Sequence, residues 1–256
     1  MKGYAMKIRT MNLGEGTPKI CIPLTARTLD ELRDDCESLQ DLAPDMLEWR
    51  IDCLLGTEDF DPAETLRKGF SLIRGRFPVT PLLATVRTRS QGGAFPLKTG
   101  EYFALLRELL ENGREDLIDI EYGHAVMATV RLISLAKEKN IPVLMSFHRF
   151  SGPMTEEELL TCYDSMKDLR ADIVKIAVLP KTPSDVCALL SAAAQTREKY
   201  PDTPVIAIGM GKLGMITRLA GNDLGAPLTF ASGREASAPG QLSAADAKSM
   251  VNILYR

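Results

Sequence analysis

Short apolar runs alternate with longer segments of helical period along most of the chain. Eight runs read as strands: 19–24 (KICIPL), 46–52 (MLEWRID), 82–87 (LLATVR), 116–122 (DLIDIEY), 143–148 (VLMSFH), 172–178 (DIVKIAV), 204–210 (PVIAIGM) and 228–232 (LTFAS). The gaps between them carry helix signals. Thr28 with Glu31 three residues on has the form of a capping box, and Leu29, Leu32, Cys36 and Leu39 follow at helical spacing. Asp61-Pro62 opens a second helix, with proline in the first turn, where its missing N–H costs nothing. Thr99 with Tyr102, Phe103, Leu106, Leu109 and Leu110 gives a third, and helices are predicted over 125–139, 155–169, 183–199, 213–220 and 243–254. Strictly alternating strands and helices mean βαβ units and a parallel sheet. Eight units in a chain of this length predict a (β/α)8 TIM barrel filling residues 1–256 as a single domain, with an open doubly wound sheet as the structural rival. The segment MKIRTMNLGEG before the first unit predicts a β-hairpin covering the bottom of the barrel.

Barrel strands are covered outside by helices, so polar residues on them belong to the inward set of the period-2 alternation. Leu47, Trp49 and Ile51 alternate with Glu48, Arg50 and Asp52; Ala84 and Val86 with Thr85 and Arg87; Ile118 and Ile120 with Asp119 and Glu121. Met145 and Phe147 alternate with Ser146 and His148, and Val174, Ile176 and Val178 with Lys175 and Ala177. Five strands thus send ionisable or polar groups inward, mostly towards the C-terminal ends, where barrel enzymes keep their active sites. Lys175 is the sharpest of them, since every neighbour in DIVKIAV but the leading aspartate is apolar. Burial and nearby cations lower a lysine's pKa and leave a neutral amine able to attack a carbonyl. His148, one of two histidines and one strand away, suits proton transfer near neutral pH. His124, after Tyr122-Gly123, reads as structural or solvent-exposed. Gly209-Met210-Gly211-Lys212-Leu213-Gly214 has the GxGxxG form, but at the seventh strand and with no acidic residue closing a following strand; a tight βα turn explains it.

Composition narrows the function. Lys+Arg of 31 against Asp+Glu of 34 gives a net charge of −3, with no basic stripe for nucleic acid. No apolar stretch approaches the roughly 20 residues that cross a bilayer, and the N-terminus has no secretory pattern. Five scattered cysteines form no CxxC pair and fit a reducing compartment, so a cytoplasmic location is expected. Two distant histidines argue against a histidine-rich metal centre.

The chain resembles the type I 3-dehydroquinate dehydratases through nearly its whole length. The likeness is carried by Gly14-Glu15-Gly16-Thr17-Pro18-Lys19-Ile20, the EWR-D run from Glu48, Arg87 followed by Gly92-Gly93, Met145-Ser146 with His148, KIAV at Lys175, TRLAG from Thr217 and ASAPGQ from Ala236. The resemblance implies a (β/α)8 barrel, usually a homodimer, with no metal or organic cofactor. It implies that Lys175 forms an imine with the C3 ketone of 3-dehydroquinate and that His148 is the general acid and base. It also implies that Arg218 holds the substrate carboxylate, with Glu48, Arg50, Arg87, Ser237 and Gln241 binding hydroxyls and carboxylate. The small-residue segment around SGREASAPGQ (232–242) is expected to act as a lid.

Two positions depart from some family members. Gln91 stands where many carry a glutamate that orients the histidine; a neutral amide is expected to hold the ring by hydrogen bond, leaving His148 to rely on Glu48 or Glu121 for charge. Pro23 stands where a serine is often found. Two alternatives remain at this level: a class I aldolase, which would need a phosphate site in the last two βα loops, and a non-catalytic barrel that binds a hydroxylated acid.

Overall fold

The computed structural model of the chain describes residues 6–56, 60–233 and 238–255. Strands β1 (Met6–Ile8) and β2 (Met11–Leu13) form an antiparallel hairpin with Met6 opposite Leu13. Eight parallel strands follow: β3 (Lys19–Leu24), β4 (Met46–Arg50), β5 (Leu82–Thr85), β6 (Leu117–Glu121), β7 (Val143–Arg149), β8 (Ile173–Val178), β9 (Val205–Gly209) and β10 (Leu228–Phe230). They pair in the order β10-β3-β4-β5-β6-β7-β8-β9, so the last strand lies beside the first and the sheet curls towards closure. At the seam between β9 and β10 no ladder forms among the described residues; there Ala207 N–H donates to Gly225 C=O at 2.8 Å.

Helices α1 (Leu29–Ser38), α2 (Pro62–Arg76), α3 (Thr99–Asn112), α4 (Val126–Glu138), α5 (Glu156–Asp168), α6 (Pro183–Lys199), α7 (Gly211–Gly214) and α8 (Ala244–Leu254) alternate with the strands. Their starts follow the sequence signals. Thr28 Oγ1 accepts from Glu31 N–H at 3.1 Å, although Glu31 reaches back to Arg27 N–H rather than closing a box on Thr28. Full capping boxes form at Thr155 with Glu158 and at Thr182 with Asp185. Asp61 caps α2 with Pro62 in the first turn.

The period-2 alternation divides the apolar residues into two bodies. Ile22, Leu24, Leu47, Trp49, Ala84, Ile118, Ile120, Val174 and Ile176 face outward and pack under the helices. Cys21, Met46, Leu83, Leu117, Leu144, Ile173, Ile206 and Leu228 face inward at the N-terminal half, where Ile8, Met11 and Leu13 of the hairpin join them. The hairpin therefore plugs the bottom of the lumen, as the sequence predicts. Arg9 fastens it there, donating to Asp116 and, at 3.0 Å, to Pro78 C=O. With the lower lumen filled by apolar side chains, the polar inward residues are left for the upper half.

Two expectations about elements need correction. β4 stops at Arg50, and 51–54 turn into a 3-10 helix that draws Asp52 inside. The helix expected over 213–220 is instead α7, four residues long, followed by a 3-10 turn at Met215–Leu219. The cause lies in the glycines of GxGxxG. A Cβ on Gly214 would sit 2.3 Å from the Gly209 carbonyl carbon, so the turn folds directly back onto β9. Thr217 Oγ1 then accepts from Gly209 N–H and donates to Gly214 C=O, both at 2.8 Å, which ends the α-helical run.

Candidate active site

At the C-terminal end of the barrel a pocket is lined by Glu48, Arg50, Arg87, Gln91, His148, Lys175, Arg218 and Gln241, with Phe150, Ala177, Ile208, Met210, Phe230 and Ala238 as its apolar walls. Seven of the eight residues singled out for catalysis and substrate binding therefore share one pocket. The eighth, Ser237, lies outside the described residues, as do 234–236 of the expected lid.

Lys175 is only 4% exposed. It is in register with Ser146 of β7 on one side and Ile206 of β9 on the other. Its Nζ lies 3.7 Å from the centroid of the Phe230 ring. Burial pushes the ammonium below its usual value; Glu48 pulls it back, Arg87 pushes it further down, and the net direction is downward. His148 is in register with Ala177, two positions further along β7 than the Ser146–Lys175 pair. Its residue is partly covered, but its ring Nδ1 is buried and meets no partner among the described residues. Burial first, then Arg87, Lys175 and Arg50, hold the imidazole well below its ordinary range. Burial and the surrounding cations thus keep the imidazole neutral and make the neighbouring ammonium easier to deprotonate.

The arginines divide into two kinds. Arg50 donates Nε and Nη2 to the two oxygens of Asp52, each at 2.8 Å. Arg87 is clamped between Asp119 (2.7 Å), Glu121 (3.0 Å) and the Ser146 hydroxyl (2.8 Å), and its guanidinium is held charged by those carboxylates against burial. Asp52 also accepts from the backbone N–H groups of Arg87 and Ala94, so one buried carboxylate ties β4 to the loop after β5. Among the described residues Arg218 has no such partner. It is 2% exposed, donates to the carbonyls of Phe230 (3.2 Å) and Pro239 (3.3 Å), and leaves Nε unpartnered among the described residues. Burial alone lowers it to about 10. A buried cation without a carboxylate is an invitation to an anionic ligand.

Glu48 accepts the Thr85 hydroxyl at 2.9 Å. Glu121 accepts from Arg87, from Thr88 through both N–H and Oγ1, and from His124 at 2.9 Å. His124 is therefore structural, as the sequence suggests, stacked near Tyr102 and Phe103. These contacts overturn the expectation that His148 leans on Glu48 or Glu121: neither is its hydrogen-bond partner, and the charged groups that act on its ring are all cations. The expectation for Gln91 also changes, because its Oε1 accepts from the backbone N–H of His148, at 2.8 Å, and not from the ring.

Sequence reasoning missed the service residues. Asp52, Asp119 and Ser146 were visible as inward positions, but their work of holding arginines is set across strands. Phe230, under the lysine, carries no polar signal at all. Among the described residues no three of His, Cys, Asp and Glu are grouped to hold a metal ion, and no helix is long and apolar enough to cross a membrane. The aldolase alternative is not favoured, since Gly211 N–H in the seventh βα loop is taken up by Pro239 C=O of the eighth at 3.0 Å. A Cβ on Gly240 would lie 2.4 Å from the Gly211 oxygen, so the two loops touch where a phosphate cradle would have to open.

The sequence and fold have close counterparts. The 3-dehydroquinate dehydratase of Syntrophotalea carbinolica is 40% identical over 250 residues, covering 98% of each chain, and that of Bacillus licheniformis is 37% identical with the same coverage. The type I 3-dehydroquinate dehydratase of Clostridium difficile, solved with covalently modified comenic acid, superposes with a TM-score of 0.91 at 31% identity over 99% of this chain and 98% of that one. The Geobacillus kaustophilus 3-dehydroquinate dehydratase gives 0.89 at 34% identity, over 98% and 96%. With the profile of the type I 3-dehydroquinases also matching residues 20–256, the chain belongs to the type I 3-dehydroquinase family.

Proposed function

We propose that this chain dehydrates 3-dehydroquinate to 3-dehydroshikimate through an imine on Lys175, with His148 moving the protons. The observation that carries the reading is the meeting, in one pocket, of a buried lysine, a neutral imidazole and an arginine that pairs with no carboxylate among the described residues. The Lys175 amine adds to the C3 ketone, and loss of water gives the imine. Once protonated, the imine accepts the electron pair released when His148 takes a proton from C2. That pair then returns to form the C1–C2 double bond as the C1 hydroxyl leaves, taking a proton from the imidazolium to depart as water. Water finally adds back to the imine carbon and frees the amine. One water is consumed and two are released, so the net change is loss of one.

Arg218 takes the substrate carboxylate. Glu48, Arg50, Arg87, Ser237 and Gln241 bind hydroxyls and carboxylate around the ring, and residues 232–242 cover it. The apolar wall of Ile208, Met210 and Phe230 excludes water from the imine. The same reading includes a homodimeric assembly, which sedimentation would test, and a cytoplasmic location.

The test is intact-protein mass spectrometry after borohydride reduction with 3-dehydroquinate. A single adduct mapping to Lys175 is expected; an adduct on another lysine, or turnover with no adduct, overturns the imine.

A further inference from the structure

Phe230 ends β10 with its side chain in the lumen, 5% exposed and in the same apolar body as Ile206, Ile208 and Met210. Its backbone is held from two sides. Its C=O accepts from Arg218 Nη1 at 3.2 Å, and the next residue, Ala231, donates its N–H to Cys21 C=O at 2.9 Å. The ring is thus anchored at its root, and its face is presented to Lys175 Nζ, 3.7 Å from the centroid. A cation placed there lies over the negative side of the ring's quadrupole.

The contact matters because the site otherwise works against charge on this nitrogen. Lys175 is buried, and Arg87, after β5, adds repulsion. The other charged or titratable groups around it are Cys21 from β3, Glu48 and Arg50 from β4, Asp119 from β6, His148 from β7 and Arg218 after β9. Glu48 accepts the Thr85 hydroxyl, and Asp119 accepts from Arg87 and Ser146. Among the described residues no hydrogen bond or ion pair holds Nζ, which leaves the ring face as its close partner. The amine must be neutral to attack a ketone, yet only a protonated imine is an electron sink. The nitrogen therefore has to regain a positive charge in mid-reaction.

We propose that Phe230 is a catalytic residue whose ring face carries the positive charge of the Lys175 nitrogen, as ammonium in the free chain and as protonated imine once the ketone is bound. The second half of that statement rests on the imine reading, and the first half does not. The ring forms no bond and moves no proton. It selects for charge, favouring the protonated imine over the neutral one, which cannot accept the electron pair from C2. An aliphatic wall of the same bulk would exclude water equally well and make no such distinction. The nitrogen becomes neutral when His148 takes the C2 proton and is charged again when the C1 hydroxyl leaves, so the contact acts on the protonated imine of substrate and of product.

Fluorine on the ring edge drains negative charge from the face with little change of shape. Chains with one or three fluorines on the ring of residue 230 are compared with the parent. Without ligand, the Lys175 ammonium is followed by NMR of lysine isotope-labelled at Cε, its signal assigned by its loss in Lys175→Ala. It should titrate about one pH unit lower with three fluorines, and by a smaller step in the same direction with one. With 3-dehydroquinate, the alkaline limb of borohydride trapping should move down in the same order, because the imine then loses its proton at lower pH. An ammonium that titrates at or above the parental pH with three fluorines overturns the proposal. So does a shift that fails to grow with fluorine number, or a trapping limb that stays in place while the ammonium moves. Should the trifluorinated chain not fold, the monofluorinated one decides: a lower titration supports the proposal, and an unmoved or higher one overturns it. A parent that yields no borohydride adduct removes the imine reading, while titration of the free ammonium still judges the contact between ring and nitrogen.

Discussion

Glu115, in the loop before β6, is 7% exposed, and among the described residues neither side-chain oxygen meets a hydrogen-bond donor from another residue. The fold makes room for it at Gly113, where a Cβ would lie 1.9 Å from Glu115 Oε2. Burial pushes its pKa from 4.5 to about 7; its own backbone N–H offsets part of the rise, Asp116 adds to it, and Arg74 offsets a little more. The protein is therefore destabilised by this carboxylate in a pH-dependent way. Below 4.5 the group is protonated in both folded and unfolded chains and costs nothing extra. Between 4.5 and about 7 the unfolded chain releases its proton while the folded one keeps it, so stability falls as pH rises and the full penalty is reached above 7. At about 1.4 kcal/mol per pH unit, the gap corresponds to roughly 3 kcal/mol. A glutamine side chain at this position has nearly the same shape and cannot ionise. In urea denaturation, Glu115→Gln should gain on the parent by up to about 3 kcal/mol between roughly pH 5 and pH 8. Comparing the two proteins at each pH cancels every other titrating group. The same difference at both pH values would refute the reasoning. Because the loop lies at the opposite end of the barrel from the pocket, kcat serves as the control and should not change.

Three further outcomes test the site and the plug. Lys175→Ala should lose the borohydride adduct and turnover while still binding a carboxylate analogue, measured by calorimetry; retained turnover would remove the lysine from the chemistry. Arg218→Lys keeps a cation but loses the two-armed grip, so KM should rise about tenfold or more with kcat little changed; a change confined to kcat would contradict an anchoring role. Leu13→Ala opens a cavity between the hairpin and the lumen and should cost about 2 to 5 kcal/mol in urea denaturation with KM unchanged; a cost under about 1 kcal/mol would mean that the hairpin does not plug the barrel.

The strands were legible because a closed barrel imposes two different environments on alternate residues. Trp49 and Glu48 differ in type for that reason, and so do Ile176 and Lys175. The pocket was legible for the same reason: once the hairpin fills the lower lumen, inward polar residues have only one place to meet. What could not be read depends on contacts between strands. Asp52 looked like one more strand residue, yet the chain turns beneath it to deliver its carboxylate to Arg50. Gln91 looked like a weaker version of a glutamate aimed at an imidazole. Its partners are two backbone groups on different strands, and no periodicity encodes them. The short α7 was hidden because a helical pattern of apolar residues does not reveal how closely two glycines approach.

The 3-10 turn at Met215–Leu219 occupies the split in an otherwise continuous hoop. Thr217 grips the end of β9, and the next residue, Arg218, grips the end of β10. The residue that holds β9 and the proposed grip for an anion are therefore adjacent in one turn. An anion seated on Arg218 would brace both rims of the split together, and tighter binding there would stiffen the whole mouth.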